Sequence, residues 1–246
     1  MAGSTARRGL QALFLLSVAI ARAAAPGALS AQAPLQVTHP RLEAALIRLA
    51  AGSPTAARTL AALGEGGLPV AIGTPLELAA LLEREGGTGA GEREALLAQL
   101  SASGEAEPAV AWMAFRVAPA TDGEDRIERA WVVVEVELIS RWIRESGDPD
   151  AEARIEADLL AILAHELIGH VGSVAASRRL EDFCDDPAPG ARGSSRLGCS
   201  LEIENRVRRE LNRGLKLQGA ARLPERRSYA LDVMNFTRAR RGNTER

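Results

Sequence analysis

The stretch from Leu159 to Val171 constrains this chain more than any other. It is almost wholly apolar, yet it carries two of the three histidines and a glutamate, in the order His165-Glu166-Leu167-Ile168-Gly169-His170. Upstream, Ile155, Leu159, Ile162 and Leu163 recur at helical spacing. Asp148-Pro149 supplies an N-cap and a proline at the first helical position. The segment therefore reads as a core helix that carries polar groups. Burying Glu166 unpaired would cost on the order of several kcal/mol, and a cation beside it is the simplest compensation. Residues five apart on a regular helix diverge by ~140°, whereas residues four apart lie within ~40°. The two imidazoles can share a face only if the turn holds one extra residue, a π-type bulge. Gly169, just before the second histidine, is the residue best able to relax the backbone there.

Two neutral imidazoles and a carboxylate suit Zn²⁺. The expected site has His165 and His170 as ligands, with Glu166 as the general base acting on a metal-activated water. Three protein ligands with an open fourth position would indicate catalysis; four would indicate structure. Candidates for the third ligand are Asp185, Asp186, Glu202 and Glu204. The aspartates lie in a Pro/Gly-rich loop, a poor place to fix a metal. The glutamates lie on a helix starting near Leu201, with Ile203, Val207 and Leu211 on one face. At ~100° per residue, Glu204 falls about 60° from the centre of that face and Glu202 about 140° away. Glu204 is thus the carboxylate aimed inward. Tyr229, the only tyrosine, is a candidate donor to a tetrahedral oxyanion.

The pattern H-E-x-x-G-H resembles the expanded zinc motif of dipeptidyl peptidase III, in which such an insertion keeps both histidines on the metal. A second resemblance extends further. Glu204-Asn205-Arg206-Val207-Arg208-Arg209-Glu210-Leu211, with Arg222-Leu223-Pro224 and Tyr229 downstream, is similar to the E-N-x-x-R-x-E-L ending of secreted bacterial effector metallopeptidases. Ser53 to Leu60 and Leu68 to Ile72 are similar to the early helical segment and short strand of those proteins. These resemblances imply a zinc-dependent peptidase with a hairpin lying over the active-site helix. An extended peptide or protein substrate would then add to a sheet edge, and either hairpin strand could receive it. The alternative is an exported, non-catalytic binding or scaffold protein whose metal site is structural or vestigial.

Residues 1–33 read as an export signal. Arg7 and Arg8 precede an apolar core from Leu10 to Ile20, and Ala31-Gln32-Ala33 is an A-x-A cleavage pattern. The apolar run is too short to span a bilayer, which needs ~20 residues, and no later segment could span one, so no stable membrane anchor is expected. The formal charge is -2. Removing Arg7, Arg8 and Arg22 leaves 27 basic against 32 acidic residues, or -5. An acidic chain gives no general reason to expect nucleic acid as a partner. An aromatic content of 3% argues mildly against a carbohydrate-stacking site. Export permits disulfides, and Cys184 and Cys199 flank a loop that one bridge would close.

The remaining pattern divides the mature chain into a helical region, 34–108, and a zincin-like region, 109–246. Helices are expected over Pro40 to Ala51, from Ser53-Pro54 to about Leu63, from Thr74-Pro75 through Leu82, and over Glu92 to Leu100. Leu68 to Ile72 is a candidate strand. Val110 to Val117 and Trp131 to Ile139, separated by the turn signal Asp122-Gly123, read as a β-hairpin. The expected fold class is α+β: mainly helical, with a small antiparallel hairpin or sheet packed over the zinc-binding helix.

Overall fold

The computed structural model describes residues 21–22, 35–85, 110–119, 125–184 and 198–226. Outside them lie the apolar core and cleavage pattern of the signal, the helix expected over Glu92 to Leu100, the Asp122-Gly123 turn, Asp185, Asp186 and Tyr229. The architecture is α+β, mainly helical around one small mixed sheet.

In chain order the elements are β1 (Ala21–Arg22), β2 (Leu35–Val37), α1 (Pro40–Gly52), α2 (Pro54–Gly66), β3 (Val70–Gly73) and α3 (Pro75–Glu85). They continue with β4 (Ala111–Pro119), β5 (Asp125–Val134), α4 (Val136–Glu145), α5 (Ala151–Leu163), a π-helical segment (Ala164–Val171) and α6 (Cys199–Gly214). Two short 3₁₀ turns, Leu180–Asp182 and Gly219–Ala221, complete them.

The sheet order is β1-β4-β5-β3-β2. β4 and β5 pair antiparallel, with Met113 opposite Val132 and Phe115 opposite Ala130. β3 runs parallel to β5, and β2 parallel to β3. The sheet is therefore mixed, where an antiparallel one was expected. β5 is an interior strand, flanked on both sides, and residues 130–134 are all buried. Such a continuous apolar run marks a strand covered on both faces. α3 covers one face, where Leu78, Leu81 and Leu82 meet Ala71, Trp131 and Val133. The other helices cover the opposite face and form the main core.

The strand expected over Trp131 to Ile139 ends at Val134, and a helix begins at Val136. The alternation of valines does run past Glu135, but Val136, Ile139, Ser140 and Ile143 are the buried residues. Their spacing of three, four and seven is that of a helix face, which won over local β propensity. The start of α5 also differs. Asp148 does not act as the N-cap; its carboxylate instead accepts from the Asp150 amide at 2.9 Å and from Arg154, and the helix starts at Ala151. Ser53 is the N-cap of α2 as expected, accepting from the Ala56 amide at 3.0 Å, with Pro54 following.

α1 and α6 cross with their backbones in near contact. A methyl group placed on Gly214 would lie 2.4 Å from the Gly52 carbonyl oxygen, so this crossing admits no side chain there. It sets α6 against the rest of the core and thereby fixes where Glu204 points.

Candidate metal centre

α5 runs directly into the π-helical segment, so His165 and His170 both stand on the wider turn that their spacing required. His165 is 6% exposed and His170 fully buried. The rings meet edge to face, with centroids 4.6 Å apart. Their Nε2 atoms are 3.2 Å apart. Gly169, within the π segment, also makes room for a neighbouring backbone. A methyl group on it would lie 3.1 Å from the Ser200 carbonyl oxygen and 3.3 Å from Ser200 Cα. The glycine lets the start of α6 approach the π segment.

The opposite nitrogen of each ring has an acceptor. Nδ1 of His170 donates to the Cys184 carbonyl at 2.6 Å, and a carbonyl can only accept. Nδ1 of His165 donates to Oε2 of Glu204 at 3.0 Å. Burial raises the Glu204 pKa, but the His165 hydrogen bond and the charges of Arg208, His165 and Arg226 outweigh it and hold the carboxyl at about 2. Glu204 is thus ionised and also only accepts. Each ring therefore holds a proton on Nδ1, and the two Nε2 atoms face each other within hydrogen-bonding distance.

Glu204 points inward, with no exposed surface, while Glu202 is exposed, as the helix phase requires. It does not stand where the expected third ligand would. Its Oε2 is taken by His165 Nδ1 and by Arg226 at 3.0 Å, and its Oε1 by Arg208 Nε at 2.6 Å. The carboxylate lies at the Nδ1 side of the ring, away from the two Nε2 atoms. Among the described residues, no group of three or more His, Cys, Asp and Glu comes together that could hold a metal. Glu166 is half-buried. His39, the third histidine, caps α1, accepting from the Arg41 amide at 3.2 Å.

Several residues around the pair carried no clear sign in the sequence. Phe183 stacks on His170 at 5.3 Å and packs edge-on against Phe115 of β4 at 5.4 Å. The Cys184 contribution is a backbone atom, which no side-chain pattern announces. Arg208 was legible in principle, since it follows Glu204 by four residues on a helix. The E-N-x-x-R-x-E-L run acts as a set of clamps. Asn205 grips Arg226 through its amide at 2.7 Å and its carbonyl at 2.8 Å. Glu210 accepts from Ser53 Oγ at 2.6 Å and from the Thr55 amide at 2.9 Å, fastening α2 to α6.

Asp158, two turns before His165 on α5, is 7% exposed, and its Oδ2 has no hydrogen-bond partner among the described residues. Burial raises its pKa to about 7, against the opposing pull of Arg208 and Arg154. The folded value lies above the unfolded one, so this stabilisation is complete below about pH 3.8. It is lost as pH rises to about 7. Asp158→Asn is therefore expected to gain on the parent chain between pH 4 and 8, by up to about 4 kcal/mol. Urea unfolding of both chains at the two pH values measures this; a pH-independent difference would contradict it.

No family model, curated protein or solved structure matches the chain.

Proposed function

We propose that this chain is an exported zinc-dependent peptidase in which His165 and His170 hold the metal through Nε2. The observation that carries the reading is the facing pair of Nε2 atoms, 3.2 Å apart. Two nitrogens at ~2.05 Å from a tetrahedral zinc lie about 3.3 Å apart, so the pair already has the spacing of two zinc ligands. Glu204 takes the supporting role: it fixes the tautomer of His165 and strengthens the ring as a donor. Zinc, when bound, would supply Lewis acidity toward a peptide carbonyl and toward water. Glu166 is the group that would accept a proton from that water and return it to the leaving amine. The role offered for Tyr229 as oxyanion donor stays with this proposal.

Substrate would add to the outer edge of β4. β5 is interior and has no edge to offer. β4 is linked to the site through Phe115, Phe183 and His170. β1 pairs with that edge at Arg116 and Val117, and cleavage near Ala33 would remove β1. The Cys184–Cys199 disulfide fits export. Among the described residues no helix is long and apolar enough to cross a membrane.

A second reading is favoured by one observation, the engagement of Glu204 at Nδ1, which leaves two ligands among the described residues rather than three. In that reading the site is vestigial, its metal takes no part in catalysis, and the protein is a binding or scaffold module. The chain purified after zinc-replete expression is expected to contain about one zinc per molecule by elemental analysis. It is expected to hydrolyse an unfolded protein such as casein, and to lose that activity on chelation. Zinc without hydrolysis would select the second reading; absence of zinc would overturn both.

A further inference from the structure

We infer that the Cys184–Cys199 disulfide is a redox-sensitive positioning element of the histidine pair, which ties the acceptor of His170 to the helix that carries the acceptor of His165. Its consequence for metal rests on the metal-site reading above; its geometry rests on the bridge itself. Cys184 contributes its carbonyl to His170 Nδ1. Cys199 is the first residue of α6, and Glu204 on the same helix holds His165 Nδ1. One covalent bond, with Cα atoms 5.7 Å apart, therefore joins the two parts that set both tautomers.

The two acceptors differ in what else restrains them. Glu204 is held by Arg208 on its own helix and by Arg226, whose main chain is clamped by Asn205. Those contacts survive reduction. The Cys184 backbone is held on its amide side by Ser173 Oγ at 3.0 Å, and Ser173 Oγ in turn donates to the His170 carbonyl. Its carbonyl belongs to the next peptide unit, and the disulfide is what anchors the residue's side chain to α6. Reduction should free that carbonyl and leave Glu204 in place. His170 then loses its enforced Nδ1–H tautomer, while His165 keeps its own. A metal held through Nε2 of both rings would be bound tightly in an oxidising compartment and weakly in a reducing one.

The test uses the full chain, metal-free, with ¹⁵N-labelled histidine. Reduction is by a water-soluble trialkylphosphine, which takes up the oxygen of one water as the S–S bond becomes two thiols. A second sample carries Cys184→Ser with Cys199→Ser, so that new thiols cannot themselves bind metal. In both, the ¹⁵N spectrum of His170 is expected to move toward averaged Nδ1 and Nε2 values, while His165 keeps its Nδ1–H pattern. Zinc affinity, read by competition with a fluorescent chelator, is expected to fall by about tenfold to a hundredfold. An unchanged His170 spectrum would overturn the inference. So would loss of both patterns together with the native circular dichroism, which would make the bond a fold staple only. Should the oxidised chain bind no zinc, the functional proposal falls, and the ¹⁵N comparison still decides whether the disulfide positions His170.

Discussion

Replacing Glu204 with alanine is expected to destabilise the chain by about 3–5 kcal/mol, because one partner leaves a buried charge network. Glu204 has no exposed surface and its two oxygens serve His165, Arg208 and Arg226. Arg208 is itself 5% exposed and would be left with its charge uncompensated. The size can be checked independently from the shifted carboxyl. Its folded pKa of about 2 lies below the ordinary 4.5, which corresponds to about 3 kcal/mol. The sign follows from the direction. A depressed carboxylate stabilises the fold above its unfolded pKa, and that contribution is lost as pH falls from about 4.5 through about 2. The gap between parent and Glu204→Ala, read by urea unfolding of metal-free protein, should therefore be full at pH 6 and shrink toward pH 2. Zinc affinity should fall about tenfold to a hundredfold, as for loss of a carboxylate behind a metal-bound histidine. Glu202→Ala, at an exposed position on the same helix, should change neither quantity. Equal effects of the two substitutions would show that the network does not act on the pair.

Glu166→Gln is expected to reduce hydrolysis of an unfolded protein by about 10²–10⁴-fold while leaving zinc content unchanged. The residue follows His165 directly on the π turn and is half-buried, so it can reach solvent beside the pair. Among the described residues no hydrogen bond or ion pair engages its carboxylate, which leaves it available to a proton. The isosteric amide keeps the volume and removes the basicity. Zinc lost together with activity would make Glu166 a ligand or a structural support. Activity retained with zinc bound would remove it from the proposed chemistry.

Much of the centre was legible because its signals are local. Two histidines five apart on an apolar helix require a widened turn to share a face, and the π segment from Ala164 to Val171 provides one. The phase of α6 likewise determined that Glu204 turns inward and Glu202 outward. The disulfide between Cys184 and Cys199 followed from an even cysteine count around one loop. A helix or a bridged loop has its geometry written in the spacing of its own residues.

What depended on residues distant in sequence was decided by packing. Helix phase shows that Glu204 faces the core, but it cannot show which atom of His165 it meets. That was settled by Arg208 and Arg226, which draw the carboxylate to the Nδ1 side. The valine alternation across Glu135 suits a strand and a helix alike over a few residues. The strand ends at Val134 because its ladder partner begins at Ala111, and the buried face of α4 takes over from Val136. β5 became interior only because β3 pairs parallel to it, a long-range choice with no local sign. Gly169 shows the same division. Its identity is plain in the sequence, but one demand on it, room for the Ser200 backbone, exists only once α6 has docked.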